Sequence, residues 1–441
     1  MGLKRFPILF GFIFASLAWL ISCANPSDVL SESSNSTVTP PKNTSPSPTP
    51  TPAPSGPTAA EINGIGGSGG AIDSGVSGSM VLYQNDFVSN LINRDGGGTK
   101  INGVNANPYG GGAYLDPNDS NKIKFFTVDF FNNRILIYNS MPTSNASLPD
   151  IVVGQADFVS NGVQAGGALS AYGLQLPRGV TVCPDGKMFI ADTNNHRVLG
   201  YNRIPTTSYT AADFVIGQIN MTTNSSGTTA NKLKTPTRVH CIGSKFFISD
   251  QGNHRFLIYN TIPSANNPTA DVVIGQPDMV TGTSACSATG TSSAWEALYT
   301  GSQLLISDAG NSRVLIYNSI PTVSNPTPDA VLGQADLVSC SANRGGAANA
   351  DTLSTPRGLA IQNGKVAVAD VANNRILFFT TPLTTGQSAS YVLGQANFTT
   401  VTAWPVSATK FRWGHSIHFD GSFLWIHDYN FYRALRLALP Y

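Results

Sequence analysis

Residues 236 to 276 show a pattern that runs through most of the chain. Apolar, aromatic or β-branched runs at Pro236 to Ile242, Lys245 to Ser249, Arg255 to Tyr259 and Asp271 to Ile274 are separated by polar turn residues. Runs this short, bounded by Gly, Asn, Asp and Pro, predict four antiparallel strands and no helix. The segment Asp250-Gln251-Gly252-Asn253-His254 predicts a hairpin turn. There the carboxylate accepts backbone N–H bonds and pairs with Arg255, which opens the next strand.

The same turn recurs as Asp129/Arg134, Asp192/Arg197, Asp250/Arg255, Asp308/Arg313, Asp370/Arg375 and Asp428/Arg433, at spacings of 63, 58, 58, 62 and 58 residues. Asparagine stands three residues after the aspartate in the first five copies, and Phe431 replaces it in the sixth. A Gly-Gln pair follows an apolar run at Gly154, Gly217, Gly275, Gly333 and Gly394, 25 residues after its aspartate in four copies and 24 in the last. Self-similarity at a nearly constant period means one supersecondary unit stacked on copies of itself. The sixth copy has no Gly-Gln strand after Arg433, yet Val81-Leu82-Tyr83-Gln84-Asn85-Asp86-Phe87 matches Val152-Val153-Gly154-Gln155-Ala156-Asp157-Phe158. The expected fold is all-β: a six-bladed β-propeller of four-stranded antiparallel blades, closed by an N-terminal strand that completes the last blade.

With its Asp-x-x-Asn-x-Arg turns and the preceding Pro-x-Gly segments, the chain resembles the NHL-repeat propellers from about residue 80 to 441. One such motif is weak; six in register are specific. The copies are longer than the usual repeat, chiefly in their loops.

At the other end, Lys4 and Arg5 precede an apolar stretch from Ile8 to Ile21, which reads as an export signal over residues 1–22. Leu20-Ile21-Ser22-Cys23 resembles the bacterial lipobox, which implies lipidation of Cys23 and a lipoprotein of the cell envelope. Ala24, where inner-membrane retention uses aspartate, implies the outer membrane by the same resemblance. Residues 23–78 are rich in Ser, Thr, Pro and Gly and read as a tether without a core, leaving 79–441 as the propeller. The membrane is contacted through the lipid anchor alone.

The formal charge is +1, and −1 once Lys4 and Arg5 leave with the signal. With no basic stripe to neutralise phosphates, nucleic acid is an unsuitable partner. Of the four remaining cysteines, Cys286 and Cys340 lie in successive long loops, where a disulfide and two free thiols are both open readings. Cys183 and Cys241 sit in apolar runs and read as small buried hydrophobes.

The Asp/Arg pairs recur in every copy and are read as turn structure. Function is sought where copies differ, at the start of each innermost strand: Tyr109-Gly110, Arg178-Gly179, Thr237-Arg238, Trp295-Glu296, Arg357-Gly358 and Trp413-Gly414. If equivalent, these pairs encircle one mouth of the channel. Tyr109, Trp295 and Trp413 would supply flat apolar faces, Arg178 and Arg357 fork-shaped donors, and Arg238 and Glu296 a charged pair. Such a mouth suits a glycan or an anionic peptide. The bland alternative is an Arg238–Glu296 ion pair with tryptophans filling space between blades.

NHL propellers also include a zinc-dependent lyase, but His240, His415 and His418 do not share one register. Only Glu296 among the mouth pairs could serve a lactonase-like ion site. The reading is a monomeric, lipid-anchored envelope scaffold that binds a protein, peptide or glycan, with no catalytic residue, metal or cofactor assigned. The alternative is a metal-dependent envelope lyase or lactone hydrolase.

Overall fold

The computed structural model describes residues 70–71, 76–94, 108–119, 122–421 and 423–439. The signal segment, Cys23 and most of the tether lie outside the described residues.

Blade 3 has the strands Arg238–Ile242, Lys245–Asp250, Arg255–Tyr259 and Val272–Ile274, each paired antiparallel with the one before it. Five more sheets repeat this meander. Their innermost strands are Pro108–Asp116, Gly179–Val182, Ala294–Tyr299, Pro356–Gln362 and Gly414–Phe419 in blades 1, 2, 4, 5 and 6. Each innermost strand touches those of both neighbouring blades, and the cycle closes from blade 6 back to blade 1. The fold is a six-bladed all-β propeller.

Blade 6 takes its outer strand from the N-terminal side: Ser77–Leu82 runs antiparallel to Arg433–Ala438, with Val81 opposite Leu435. Arg433 Nη1 also donates to the Phe87 carbonyl at 2.7 Å, where the arginines of blades 1 to 5 reach the loop after their own outer strand. The strand match read between residues 81–87 and 152–158 is thus the closure of the ring.

The repeated turn is buried in every blade. Arg134 donates its Nε–H to Asp129, Arg197 to Asp192, Arg255 to Asp250, Arg313 to Asp308, Arg375 to Asp370 and Arg433 to Asp428. The Nε–Oδ2 distances run from 2.7 to 3.1 Å, and both side chains of each pair are fully buried. The third-position asparagine donates to the same oxygen in blades 1 to 5. In blade 6 Phe431 makes no such bond; it lies under the Arg433 guanidinium, 5.3 Å from centroid to Cζ, and the ion pair lengthens to 3.1 Å.

Each arginine does more than pair with the aspartate of its own turn. The Nη atoms reach well beyond it. Arg134 donates to the Phe158 carbonyl, 24 residues away. Arg197 donates to the carbonyls of Met221, Ser170 and Gly173, Arg313 to those of Leu337, Ser287 and Gly290, and Arg375 to those of Phe398, Asn349 and Thr352. In blades 2 to 5 these partners include the segment arriving from the preceding blade. Five N–H groups on a planar fork allow one side chain to tie three stretches of chain at once. Buried and saturated with internal acceptors, these arginines belong to the frame of the ring and not to a ligand site.

Blades pack through apolar faces. Phe189 meets Phe246 at 4.3 Å between blades 2 and 3, and Phe125 meets Trp425 at 4.7 Å between blades 1 and 6. All four rings are completely buried, each worth roughly 1.5–3 kcal/mol in area removed from water.

Cys183 and Cys241 are not free hydrophobes. They form a disulfide, Cα atoms 5.4 Å apart, across the innermost strands of blades 2 and 3. Side-by-side innermost strands bring two residues 58 apart in sequence to bonding range, which spacing could not show. A second disulfide joins Cys286 to Cys340, Cα atoms 6.1 Å apart.

The sheet edges are capped in relay. The middle residue of the outer strand in blades 1 to 4 (Val152, Val215, Val273, Val331) donates its N–H to a side-chain oxygen of the next blade, from Ser208, Asn266, Ser324 and Thr385. Its carbonyl accepts from the following backbone N–H, at Tyr209, Asn267, Asn325 and Gly386. These caps sit in the loop between third and fourth strands. Blade 6 has no such loop, because its fourth strand comes from elsewhere. Blade 5 is covered instead by Gly70–Ala71, paired parallel with Tyr391 and Val392. An open edge is a template for another chain.

Candidate functional site

At one end of the channel the innermost strands begin and the Asp/Arg turns end, so both contribute side chains to the same mouth. Register defines the ring of equivalent positions. Tyr109, Trp295 and Arg357 each follow a residue paired with the repeated aspartate: Pro108 with Asp129, Ala294 with Asp308, Pro356 with Asp370. In blade 6 Gly414 pairs with Asp428, so the equivalent residue is His415, not Trp413. The expected pair Trp413-Gly414 is therefore displaced by two positions. The signal was present: His415, like Thr237, Trp295 and Arg357, lies thirteen residues before its aspartate.

Nor do the aromatic rings stand open. Tyr109 and Trp295 are 6 % and 3 % exposed, and they meet across the axis with centroids 6.4 Å apart. His415, 2 % exposed, packs on Tyr109 at 5.0 Å and Trp295 at 6.0 Å. Phe130 and Tyr429 come in from the turns, 4.3 and 5.2 Å from Tyr109. This aromatic plug forms because each inward-pointing ring is large and the axis narrow; stacking removes apolar area that no blade alone could cover. Phe130, Gln251 and Tyr429 each follow a repeated aspartate directly. The sequence reading missed them, although these positions also differ between copies.

Three guanidinium groups surround the plug. Arg238 is buried; its Nε donates to Glu296 Oε2 at 3.1 Å, and its other nitrogens donate to the carbonyls of Arg178 and Tyr109. His240 Nε2 lies 2.7 Å from Glu296 Oε1. Although burial opposes ionisation of Glu296, His240 and Arg238 together hold its carboxyl below the usual range. The Arg238–Glu296 pair is thus a closed structural unit bridging blades 1 to 4.

Arg178 and Arg357 are different. Arg357 lies over Trp295, Cζ 4.3 Å from the ring centroid, with Nη1 2.7 Å from His415 Nε2. Arg178 lies 5.1 Å over Tyr109 and reaches Gln251 Oε1 at 3.3 Å. Both are half-buried, neither has a carboxylate partner among the described residues, and the Nε of each lacks a hydrogen-bond acceptor. Burial pulls Arg357 down to about 10, and its like-charged neighbours Arg178 and Arg238 contribute in the same direction. Trp413 faces solvent, 40 % exposed, stacked 11° from coplanar on His415; Phe131, packed on Phe130, is also exposed.

Below the plug, the channel holds a cavity of about 170 Å³ lined by Gly110, Gly111, Gly112, Tyr114, Glu296 and His418 among others. His418 stacks on Trp425, and His427 lies 5.5 Å from His418. Burial pushes His418 down to about 3 and His427 well below the ordinary imidazole range. His240 and His418 both line this cavity, whereas His415 belongs to the plug. Among the described residues no three His, Cys, Asp or Glu side chains gather to hold a metal ion.

The NHL repeat family model matches residues 174–201, which span the innermost strand, the Asp192 turn and the third strand of blade 2. No curated protein matches the chain. Among solved structures it is similar to virginiamycin B lyase from Staphylococcus aureus, a catalytically inactive variant with quinupristin, at 11% identity over 74% of this chain and 79% of that one, TM-score 0.38. It is also similar to Kuenenia stuttgartiensis hydrazine synthase, at 10% identity over 74% and 95% of the two chains, TM-score 0.43. A Bacteroides thetaiotaomicron protein of unknown function gives 16% identity over 81% and 75%, TM-score 0.42. The chain carries an NHL repeat within a six-bladed β-propeller.

Proposed function

We propose that this protein is a recognition scaffold of the bacterial envelope, held by a lipid on Cys23 and presenting the plugged mouth of its propeller to a ligand. The propeller fold supports a recognition or scaffold role. One observation carries the choice of face: six near-identical modules place their divergent residues together at one mouth, where Trp413, Arg178 and Arg357 remain partly open to solvent. A rigid ring of buried ion pairs holds them at low conformational cost on binding. The lipid anchor and outer-membrane location rest on the resemblance of residues 1–24 to lipoprotein signals.

The test is capture of envelope components by the intact protein and by Trp413→Ala. Loss of the captured partner with Trp413→Ala, at unchanged thermal stability, supports the mouth. Equal capture by both proteins refutes it. Labelling with a fatty-acid analogue, lost on Cys23→Ser, tests the anchor.

A further inference from the structure

Resting on that reading, we infer that the mouth binds an acidic glycan, with a uronate carboxylate held between Arg178 and Arg357 and its pyranose ring laid on Trp413. The charge balance argues for an anion. Glu296 offsets Arg238, and burial keeps His415 neutral, which leaves two uncompensated guanidinium groups at a half-buried rim. Partly desolvated like charges are held together at a cost, and an anion between them reverses its sign.

Geometry argues for a carboxylate. Each guanidinium lies over an aromatic ring, and its terminal N–H groups form a planar fork matched to two coplanar oxygens. The Nε of each arginine is buried, so the terminal N–H groups are the donors left for such an oxygen.

A sugar is favoured over a peptide by the backbone. The N–H groups of Arg178 and Thr237 already bond Ala191 and Ser249, and Arg238 occupies the carbonyls of Tyr109 and Arg178. An extended peptide finds no ladder partners at this rim. The exposed indole of Trp413, stacked on the His415 that Arg357 contacts, instead suits a ring with apolar C–H faces and one charged substituent. The plug closes the axis, so the ligand lies across the mouth and a chain of sugars can continue past it on both sides.

The experiment is binding of the full-length protein in detergent to polygalacturonate and to its fully methyl-esterified form, by calorimetry at about 0.15 M salt. Tighter binding to the acid by about tenfold or more is expected, with Arg178→Gln and Trp413→Ala each losing at least about tenfold. Arg357→Lys, which keeps the charge but not the fork and preserves packing on Trp295, should lose several-fold. Equal binding of acid and ester, weakened alike by Trp413→Ala, overturns the carboxylate and spares the mouth. Binding of a polyglutamate peptide with no binding of the polyuronate overturns the glycan. Polyuronate binding indifferent to all three substitutions overturns both this inference and the mouth.

Discussion

Tyr109 and Trp295 leave blades on opposite sides of the ring and stack across its axis, with centroids 6.4 Å apart and planes 30° from parallel. The contact converts a channel opening into a floor. It also separates buried aromatic residues of the mouth, such as Tyr109 and Trp295, from exposed ones, such as Trp413.

Trp295→Ala is expected to lower stability by about 3–5 kcal/mol, since a large buried ring leaves a cavity and Arg357 loses its platform. Trp413→Ala should stay within about 0.5 kcal/mol of the parent. Urea titrations of both proteins check the contrast; equal losses would show that Trp295 is not part of the floor.

Arg255 donates to Asp250, Thr228, Met279, Thr229 and Lys232. Arg255→Met leaves Asp250 buried and unpaired, at a cost of about 3–5 kcal/mol. Stability to heat should fall by a similar margin in Arg197→Met, Arg313→Met and Arg375→Met, whose parent arginines make corresponding bonds in blades 2, 4 and 5. A variant of this set that melts with the parent would contradict the structural role.

Breaking the cross-link between blades 2 and 3 with Cys183→Ala and Cys241→Ala should cost about 2–4 kcal/mol, the usual range for a native disulfide closing a loop of this length. Denaturation of parent and double variant, with thiol counting under non-reducing conditions, tests it.

His427 is fully buried with neither ring nitrogen hydrogen-bonded, and burial depresses its pKa well below 6.5. The unfolded chain then binds the proton more readily, so the destabilisation grows as pH falls below about 6.5 and vanishes above it. His427→Leu should be close to neutral at about pH 7.5 yet about 2 kcal/mol more stable than the parent at about pH 5. A stability difference independent of pH would refute the assignment.

Deleting residues 1–75 removes Gly70–Ala71 while keeping Ser77–Leu82. The ring should remain closed with the outer edge of blade 5 bare, and the protein should self-associate where a variant lacking only 1–69 stays monomeric. Light scattering on the two proteins distinguishes them.

Much of this architecture is written in local chemistry. Asp250 and Arg255 are five residues apart, so their pairing, the hairpin between them and the sixfold repetition follow from a short-range pattern that needs no knowledge of the rest. The match of Val81 to Val152 likewise exposes the closure, because a missing strand must resemble those already present. What lies between blades has no such local signature. Arg197 and Arg375 reach carbonyls some two dozen residues away, Cys183 meets Cys241, and Arg238 meets Glu296 and Tyr109, because segments of different blades converge in the closed ring. Whether a ring such as Trp295 lies open or buried depends on what the opposite blade sends to meet it. His415 fills the sixth place in the floor through the same bulged register as Tyr109, Trp295 and Arg357, a place its spacing from Asp428 already marked. That Trp413 beside it faces the solvent is set by packing. Repetition fixes the wheel through near neighbours; its hub is set by residues far apart in sequence, whose packing only the closed ring defines.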